Sequence, residues 1–316
     1  MKDFFLEEIR KRGGFSCYHA HFDKAYLINK ENFIRSQSSL QEKWKLYREF
    51  KEKYTEDDLL NRMSRCISNM LSQDVKYIRT FVDADSIVKQ KCIDAAVKLK
   101  SLYSDVINID IAIQPLEGLE DKDSRENFIE ACKKANYIGG LPDRDSSHSK
   151  HIDLLFDLAK SFNKPVDIHV GQNNVPQEKE TELVLDKIEE HNLAQKVSLV
   201  HCISLSCQDD SYIMYQAERM KELGVTVIVC PSAAISMKQN RFKYSPIHNS
   251  IAPVNILLET GVEVKLGIDN ISDLFMPLVD GDLWFETRLL MEATRLYDIN
   301  KIISIITNIT NYGSNN

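Results

Sequence analysis

Short apolar segments rich in valine and isoleucine recur eight times along the chain, and helical patterns separate them. The clearest helical pattern places Val88, Cys92, Ala95, Leu99 and Leu102 on one face. Strands buried on both faces of a parallel sheet have this apolar composition, so the alternation predicts a parallel (β/α)8 barrel. The predicted strands cover residues 14–19, 77–82, 106–113, 137–140, 165–170, 196–201, 225–230 and 262–268.

A doubly wound open sheet is the alternative fold. Its nucleotide-binding version requires a glycine-rich turn after the first strand, and no such turn follows residue 19. No internal repeat or Pro/Gly/Ser-rich linker divides the sequence. We therefore expect one domain over residues 1–316, with an N-terminal helix in residues 1–13. A helical excursion over residues 22–72 is expected to form either a lid or a packed cover.

Charge and cysteine content exclude several classes of protein. The 316 residues include 40 Lys and Arg against 47 Asp and Glu, without a basic run, which argues against nucleic acid as a partner. No apolar segment approaches transmembrane length, and the charged start does not resemble a signal peptide. The seven cysteines, an odd number without a Cys-x-x-Cys pair, predict reduced thiols in a cytoplasmic protein. A small-molecule substrate is the expected partner, and assembly into a homo-oligomer stays open.

Histidine and aspartate side chains fall at the carboxyl ends of the predicted strands. His19 and His21 end the first strand, and alternation along a strand places them on the same side. His169, His201 and Asp269 end the fifth, sixth and eighth strands, whose ends meet at the same rim of a barrel. Imidazole and carboxylate ligands together suit a transition metal. The other histidines, His148, His151, His191 and His248, are interpreted as surface or turn residues.

Further motifs accompany these residues along the predicted barrel. They are RTFVD at 79–83, QPLEG at 114–118, DIH at 167–169, CPS at 230–232 and GID at 267–269. In this order and placement, the motifs and the histidines resemble the amidohydrolase superfamily, within it the cytosine-deaminase-like branch. The resemblance covers nearly the whole chain and implies a metal-dependent hydrolase of carbon–nitrogen bonds. Most relatives also carry a small β-sandwich, and the early position of His19 and the end at Asn316 predict a barrel without it.

The resemblance also implies roles for the residues at the rim. It implies that His19, His21, His169 and Asp269 bind one divalent metal, zinc or iron, with manganese as a further option. It implies that His201 polarises the substrate or the bound water and that Asp269 also accepts the proton of that water. The fourth predicted strand offers no lysine to bridge two metals, so a single ion is expected.

Four positions depart from the pattern of the pyrimidine deaminases in this branch. Gln172 stands where those relatives carry a proton-shuttling glutamate, and an amide cannot relay a proton at neutral pH. Leu116 replaces a glutamine that grips the pyrimidine, Asn270 replaces a second acidic residue, and Phe275 replaces a tryptophan. The metal ligands thus persist while the residues that recognise cytosine have changed.

We therefore expect a metal-bound hydroxide to hydrolyse an amide or cyclic amide. The alternatives are a deaminase of an unusual N-heterocycle and a metal-binding barrel without catalysis. Two cations are candidates for substrate binding, namely Lys24 for an anionic group and Arg241 for a carboxylate. Ser232 and Met237 lie on the same loop as Arg241, and Ser86 and Asp85 are candidate caps of the helix after the second strand.

Overall fold

A computed structural model describes residues 1–236 and 249–308. Within these residues eight parallel strands form one sheet in chain order, which confirms the predicted (β/α)8 barrel. The strands are β1 (Phe15–His21), β2 (Val75–Asp83), β3 (Asn108–Gln114), β4 (Tyr137–Gly140), β5 (Val166–Val170), β6 (Val197–His201), β7 (Thr226–Val229) and β8 (Glu263–Leu266).

Helices follow the strands and cover the outside of the sheet. They are α1 (Lys2–Lys11), α2 (Leu40–Lys51), α3 (Glu56–Leu71), α4 (Lys91–Leu102), α5 (Lys122–Lys134), α6 (His148–Phe162), α7 (Glu180–His191), α8 (Asp210–Glu222), α9 (Pro231–Ser236), α10 (Val254–Thr260), α11 (Leu283–Thr294) and α12 (Ile299–Ile306). Valine, isoleucine and leucine side chains fill the core between the strands and these helices. No helix of the described residues has the length and apolar composition needed to cross a membrane.

Backbone hydrogen bonds join the first strand to the segment after the last one. The amides of Ile268 and Asp269 donate to the carbonyl oxygen of His19 at 2.8 and 3.1 Å. The amide of His21 donates in turn to the carbonyl oxygen of Asp269 at 3.1 Å. These bonds close the barrel at its carboxyl end and place Asp269 directly beside the two histidines of β1.

The barrel interior below that end contains a charged layer. Alternation along β2 turns Arg79 inward, where Nη1 donates to both carboxylate oxygens of Asp167 at 2.8 and 2.9 Å. Nη2 of Arg79 donates to Tyr137 Oη at 2.8 Å. Phe81, two residues further along β2, packs its ring 4.7 Å from the ring of His19. An ion pair and an aromatic ring thus support the histidines from below.

The excursion between β1 and β2 forms a packed cover. Lys51 of α2 is fully buried, and its ammonium donates to Asp85 and, at 3.2 Å, to Glu117 Oε1. Asp83 Oδ2 lies 3.5 Å from the same nitrogen. A lysine charge without water is tolerated because several carboxylates surround it. These contacts tie α2 to the ends of β2 and β3, which places this helix over the barrel mouth.

The start of α4 differs from the expectation. The helix begins at Lys91, so the prediction that Ser86 caps it is wrong. Asp85 instead stabilises the turn before the helix, because its Oδ1 accepts from the amides of Ile87 at 3.0 Å and Val88 at 3.1 Å. A short helix, α9, also follows β7 where the sequence predicted only a loop.

All seven cysteines are free and buried. Burial raises the pKa of the Cys17 and Cys202 thiols to about 12, so both stay protonated at neutral pH. This agrees with a packing role for these side chains and not with that of a catalytic nucleophile.

Replacing Asp167 by Ala should destabilise the barrel strongly, because Arg79 would keep a buried charge without its carboxylate. We expect a loss of about 3–5 kcal/mol in the free energy of unfolding, measured by urea denaturation. The control is Glu126→Ala, which removes an exposed i,i+4 pair with Lys122 and should cost at most about 1 kcal/mol. Equal losses in the two variants would contradict this assignment of the charged layer.

Candidate active site

Four histidines and one aspartate meet at the carboxyl end of the barrel. Asp269 Oδ1 lies 3.4 Å from His19 Nε2 and 3.2 Å from His21 Nε2. Its other oxygen, Oδ2, lies 3.9 Å from His201 Nε2. The ring centroids of His19 and His169 are 4.8 Å apart. The structure therefore brings together the five side chains that the sequence placed at this rim.

Several ring nitrogens of this cluster lack a protein partner. Across residues 1–236 and 249–308, neither nitrogen of His19, nor Nδ1 of His21 or His201, has a hydrogen-bond partner, although all are buried. His169 Nδ1 lies 3.0 Å from the carbonyl oxygen of Gly140, which leaves its Nε2 free. Leaving buried polar atoms unpaired costs stability unless something else binds them. A metal ion is the partner that such a set of donors fits.

The protonation states of these side chains suit a cation. Burial lowers the pKa of all four histidines, that of His201 to about 4, so the imidazoles are neutral at pH 7. Burial opposes ionisation of Asp269, but the close contacts of its carboxylate with the His19 and His21 rings outweigh it and hold the pKa of this carboxyl well below its usual range. Neutral imidazoles and an ionised carboxylate are the forms that ligate divalent metals.

Two residues of the cluster have an unusual backbone. His201 has φ 77° and Asp269 has φ 63°, both in the left-handed region that residues other than glycine seldom adopt. Such conformations cost about 1–3 kcal/mol each and persist where the surrounding structure imposes them. At both positions the chain turns away from the direction of the preceding strand, and both side chains line the cavity at the barrel mouth.

A cavity of about 780 Å³ opens above the cluster, between the barrel mouth and α2. Its walls include most of the residues that the sequence analysis associated with catalysis or substrate binding, whereas His19 lies beneath it. Those on the wall are His21, Lys24, Leu116, His169, Gln172, His201, Asp269, Asn270 and Phe275. Met237, Arg241 and His248 lie outside the described residues.

Lys24 is buried at the cavity wall and already has two carboxylate partners. Its Nζ lies 2.7 Å from Asp83 Oδ1 and 3.3 Å from Asp23 Oδ1. Burial opposes the charge, but these carboxylates raise the pKa of Lys24 to about 12. The ammonium is thus charged but locally neutralised, which makes it a weaker receptor for a substrate anion than the sequence suggested.

The remaining candidates on the wall are fixed by neighbouring side chains. Asn270 Nδ2 donates to Asp273 Oδ2 at 2.5 Å, and the ring of Phe275 stacks on Tyr47 at 4.7 Å between centroids. Leu116 is 1% exposed and belongs to an apolar cluster that includes residues of α2. These contacts give the cavity one apolar side and one polar side.

Gln172 follows β5 and is half-buried at the cavity wall. Its Nε2 donates to Asp143 Oδ2 at 3.0 Å. One amide hydrogen is directed to this carboxylate, so the carbonyl oxygen is left to accept from a ligand and the second amide hydrogen is left to donate. The position that a glutamate occupies in the pyrimidine deaminases therefore holds a hydrogen-bond acceptor without proton-transfer capacity.

The interpretation of His151 as a surface or turn residue is wrong. The side chain is 2% exposed, with Nδ1 2.5 Å from Asp145 Oδ2 and Nε2 accepting from the amide of Leu141 at 3.2 Å. It fixes the loop after β4 from inside. His148 and His191 do lie nearer the surface, each paired with carboxylates.

Several further residues line the cavity wall without having been predicted from the sequence. Gln114 ends β3, Asn173 follows Gln172, and Met276 follows Phe275, and all three line the cavity. So do Trp44 and residues 36–41, which reach it from the excursion before and within α2. Gln114 could have been recognised in the sequence, because a polar side chain is unusual at the end of an otherwise apolar strand.

A parallel barrel with a buried His/Asp centre at its carboxyl end is the architecture of a metal-dependent hydrolase. Residues 14–309 match the amidohydrolase family, and the chain belongs to that family. It is accordingly a hydrolase of carbon–nitrogen bonds, and amidohydrolases generally bind a divalent metal. The family expected from the sequence motifs is confirmed.

Individual relatives agree with this assignment. The chain is 34% identical over 262 residues to an uncharacterized protein of Haemophilus influenzae, covering 81% of this chain and 95% of that one. It is 22% identical to the N-isopropylammelide isopropyl amidohydrolase of Pseudomonas sp., covering 85% of this chain and 65% of that protein. A crystal structure of 5-methylcytosine deaminase from Klebsiella pneumoniae, liganded with phosphonocytosine, superimposes with a TM-score of 0.84 at 22% identity. This match covers 93% of the chain and 73% of the deaminase, and it shows the shared fold.

Removing one histidine of the cluster should abolish metal binding. We expect the wild type, loaded with Zn²⁺ and desalted, to retain about one ion per chain and to melt at a higher temperature than the chelated protein. His19→Ala should retain much less metal and lose that difference. His191→Ala, which changes a histidine on the outer surface of α7, is the control. Retention of metal by His19→Ala, measured by elemental analysis, would place the ion elsewhere.

Proposed function

We propose that this protein hydrolyses the carbon–nitrogen bond of an amide or cyclic amide in a small polar molecule. His19, His21, His169 and Asp269 would hold one divalent transition metal, zinc or iron. The observation that carries the proposal is the convergence of unpartnered, neutral imidazoles and an ionised carboxylate at the floor of one cavity. A divalent metal in such a site supplies Lewis acidity and activates water at neutral pH.

His201 is assigned the stabilisation of negative charge on the substrate. Its imidazole lines the cavity and is neutral, because burial lowers the pKa to about 4. A neutral imidazole carries one N–H, which can donate to the oxygen that becomes negative when the substrate carbon is attacked. The left-handed backbone at this residue holds the ring across the mouth of the barrel.

Asp269 is assigned the proton transfer. Its Oδ1 is directed to His19 and His21, whereas its Oδ2 is directed to His201. An ionised carboxylate in this position can accept a proton from the attacking water and deliver it to the nitrogen that leaves. The low pKa of Asp269 keeps it ionised before the reaction begins.

Gln172 favours amide hydrolysis over ring deamination. Deamination of a pyrimidine-like ring requires proton delivery to a ring nitrogen, which the glutamine cannot provide. Deamination of another N-heterocycle is the second candidate, since the Klebsiella pneumoniae protein of similar fold is a 5-methylcytosine deaminase. For ring substrates the product distinguishes the two, because deamination releases ammonia whereas opening of a cyclic amide without an exocyclic amine releases none.

Hydrolysis should depend on metal. We expect the metal-loaded protein to turn over at least one member of a panel of lactams, ureas, hydantoins and aminated heterocycles. Chelation should abolish the rate, and added metal should restore it. Ammonia and ring-opened products are measured separately by a coupled assay and by mass spectrometry. A metal-loaded, folded protein that turns over none of them would favour a binding role without catalysis.

Replacing Gln172 by Glu tests the reaction class directly. For amide hydrolysis we expect turnover to fall, because the carboxylate adds negative charge near Asp143 and cannot donate the hydrogen bond that Nε2 makes. If the native reaction is instead a deamination that lacks its proton-transfer residue, the new carboxylate would act as a general acid–base group and raise turnover by about 10²–10⁴-fold. Gln177→Glu, the same change at an exposed position of the same loop, controls for charge. A large rise in Gln172→Glu with matched metal content would overturn the preference for amides.

A further inference from the structure

Gln114 is a buried glutamine on the cavity wall. It is the last residue of β3, where Ile111 and Ile113 pack into the core between strands and helices. Alternation therefore turns the side chain of Gln114 toward the barrel interior. It is 3% exposed and lines the same cavity as His21 and His169.

The carboxamide of Gln114 has no internal partner for its oxygen. Within the described parts of the chain, nothing donates a hydrogen bond to Oε1, although the atom is buried. Two other carboxamides on this wall are held by hydrogen bonds from their nitrogen atoms. Gln172 Nε2 donates to Asp143, and Asn270 Nδ2 donates to Asp273. A buried amide oxygen without a donor destabilises the folded protein.

The backbone of Gln114 is fixed in the sheet by hydrogen bonding and strand pairing. Its carbonyl oxygen accepts from the amide of Ala84 at 3.1 Å, and the residue pairs with Asp83 across β2 and β3. A methionine would occupy a similar volume without the unsatisfied oxygen. The polar side chain is therefore explained if it binds something that enters the cavity.

We propose that Gln114 is a specificity-determining residue that binds the amide edge of the substrate. A carboxamide offers one acceptor and two donors in a plane, so it pairs with a group that presents N–H and C=O side by side. The substrate class is therefore a neutral cyclic amide, such as a lactam or a cyclic ureide. This inference rests on the proposed function and adds the recognition element that it lacks.

The surroundings of Gln114 favour a neutral ligand. Lys24 on the wall is neutralised by Asp83, the residue paired with Gln114 in the sheet. Lys43, also on the wall, donates to the carbonyl oxygen of Phe275 at 3.2 Å. Leu116, two residues after Gln114, and Phe275 supply apolar surface to the same cavity. A flat ring with a polar edge and apolar faces matches this combination of one unsatisfied amide and apolar walls.

The test compares two small rings by isothermal titration calorimetry on the zinc-loaded protein. 2-Piperidone carries the N–H and C=O edge, whereas cyclohexanone has a ring of the same size and the carbonyl but no N–H. We expect the wild type to bind 2-piperidone about tenfold or more tightly than cyclohexanone. In Gln114→Met that advantage should disappear, while the affinity for cyclohexanone changes little.

Gln216→Met is the matched control. Gln216 on α8 is also fully buried and has an unpartnered amide atom, Nε2, but it is not on the cavity wall. Both methionine variants remove an unsatisfied buried amide, so both should melt at or above the wild-type temperature. Only Gln114→Met should lose the preference for 2-piperidone. If Gln114→Met does not fold, Gln114→Asn should reduce the preference for 2-piperidone instead. Its side chain is one methylene shorter, which holds the amide further from the ligand.

Three results on relative affinity would overturn the proposal, and so would a fourth on binding itself. They are equal affinities of the wild type for the two rings, an unchanged preference in folded Gln114→Met, and an equal loss in Gln216→Met. Absence of binding of 2-piperidone to the wild type would also reject this substrate class. Because the readout is a ratio of affinities and not a rate of hydrolysis, these results are separate from failure of the metal-dependent hydrolysis itself.

Discussion

The hydrogen bonds between β1 and the segment after β8 determine whether a site exists at all. Through them, residues 250 positions apart in the chain share one edge of the sheet, with the carbonyl of His19 accepting from Ile268 and Asp269. Without this closure the histidine pair would face open solvent and the carboxylate would lie elsewhere. Closure also buries the cluster, and burial is what keeps the imidazoles neutral and the ligand atoms unpaired.

Charged side chains are buried around the site, and each needs a partner of opposite charge. The Arg79–Asp167 pair lies below the histidines, and Lys24 and Lys51 are enclosed by carboxylates at the ends of β2 and β3. Each of these charges would be costly alone in the interior, and each is matched by opposite charge within hydrogen-bond distance. The floor and the cover of the cavity are therefore held by paired ions, whereas ring nitrogens of the histidine cluster and Gln114 Oε1 have no partner among the described residues.

The carboxamides on the wall distinguish this site from one built for proton relay. Gln172 is oriented by Asp143 to accept a hydrogen bond, and Gln114 contributes an amide whose oxygen no described residue satisfies. Amides hold a fixed pattern of donors and acceptors at every physiological pH. In the function that we propose, such a wall would recognise substrate geometry and leave proton transfer to the metal centre and Asp269.

The sequence by itself determined the barrel and most of the cluster. Strand-like apolar segments alternating with helices define the topology, and the spacing of His19 and His21 places them on one face whatever surrounds them. Parallel strands then bring His169 and His201 to the same rim. These inferences succeed because they depend on local periodicity and on chain direction.

Only the tertiary structure decided which polar groups have partners. Lys24 is neutralised by Asp83, 59 residues away, and His151 is paired with Asp145. The side-chain oxygen of Gln114 has no donor in residues 1–236 and 249–308. In the sequence, a lysine after a histidine motif and a glutamine at a strand end are equally free to bind substrate. Pairing depends on distances between side chains from different strands and on the exclusion of water, and neither quantity exists until the barrel has closed.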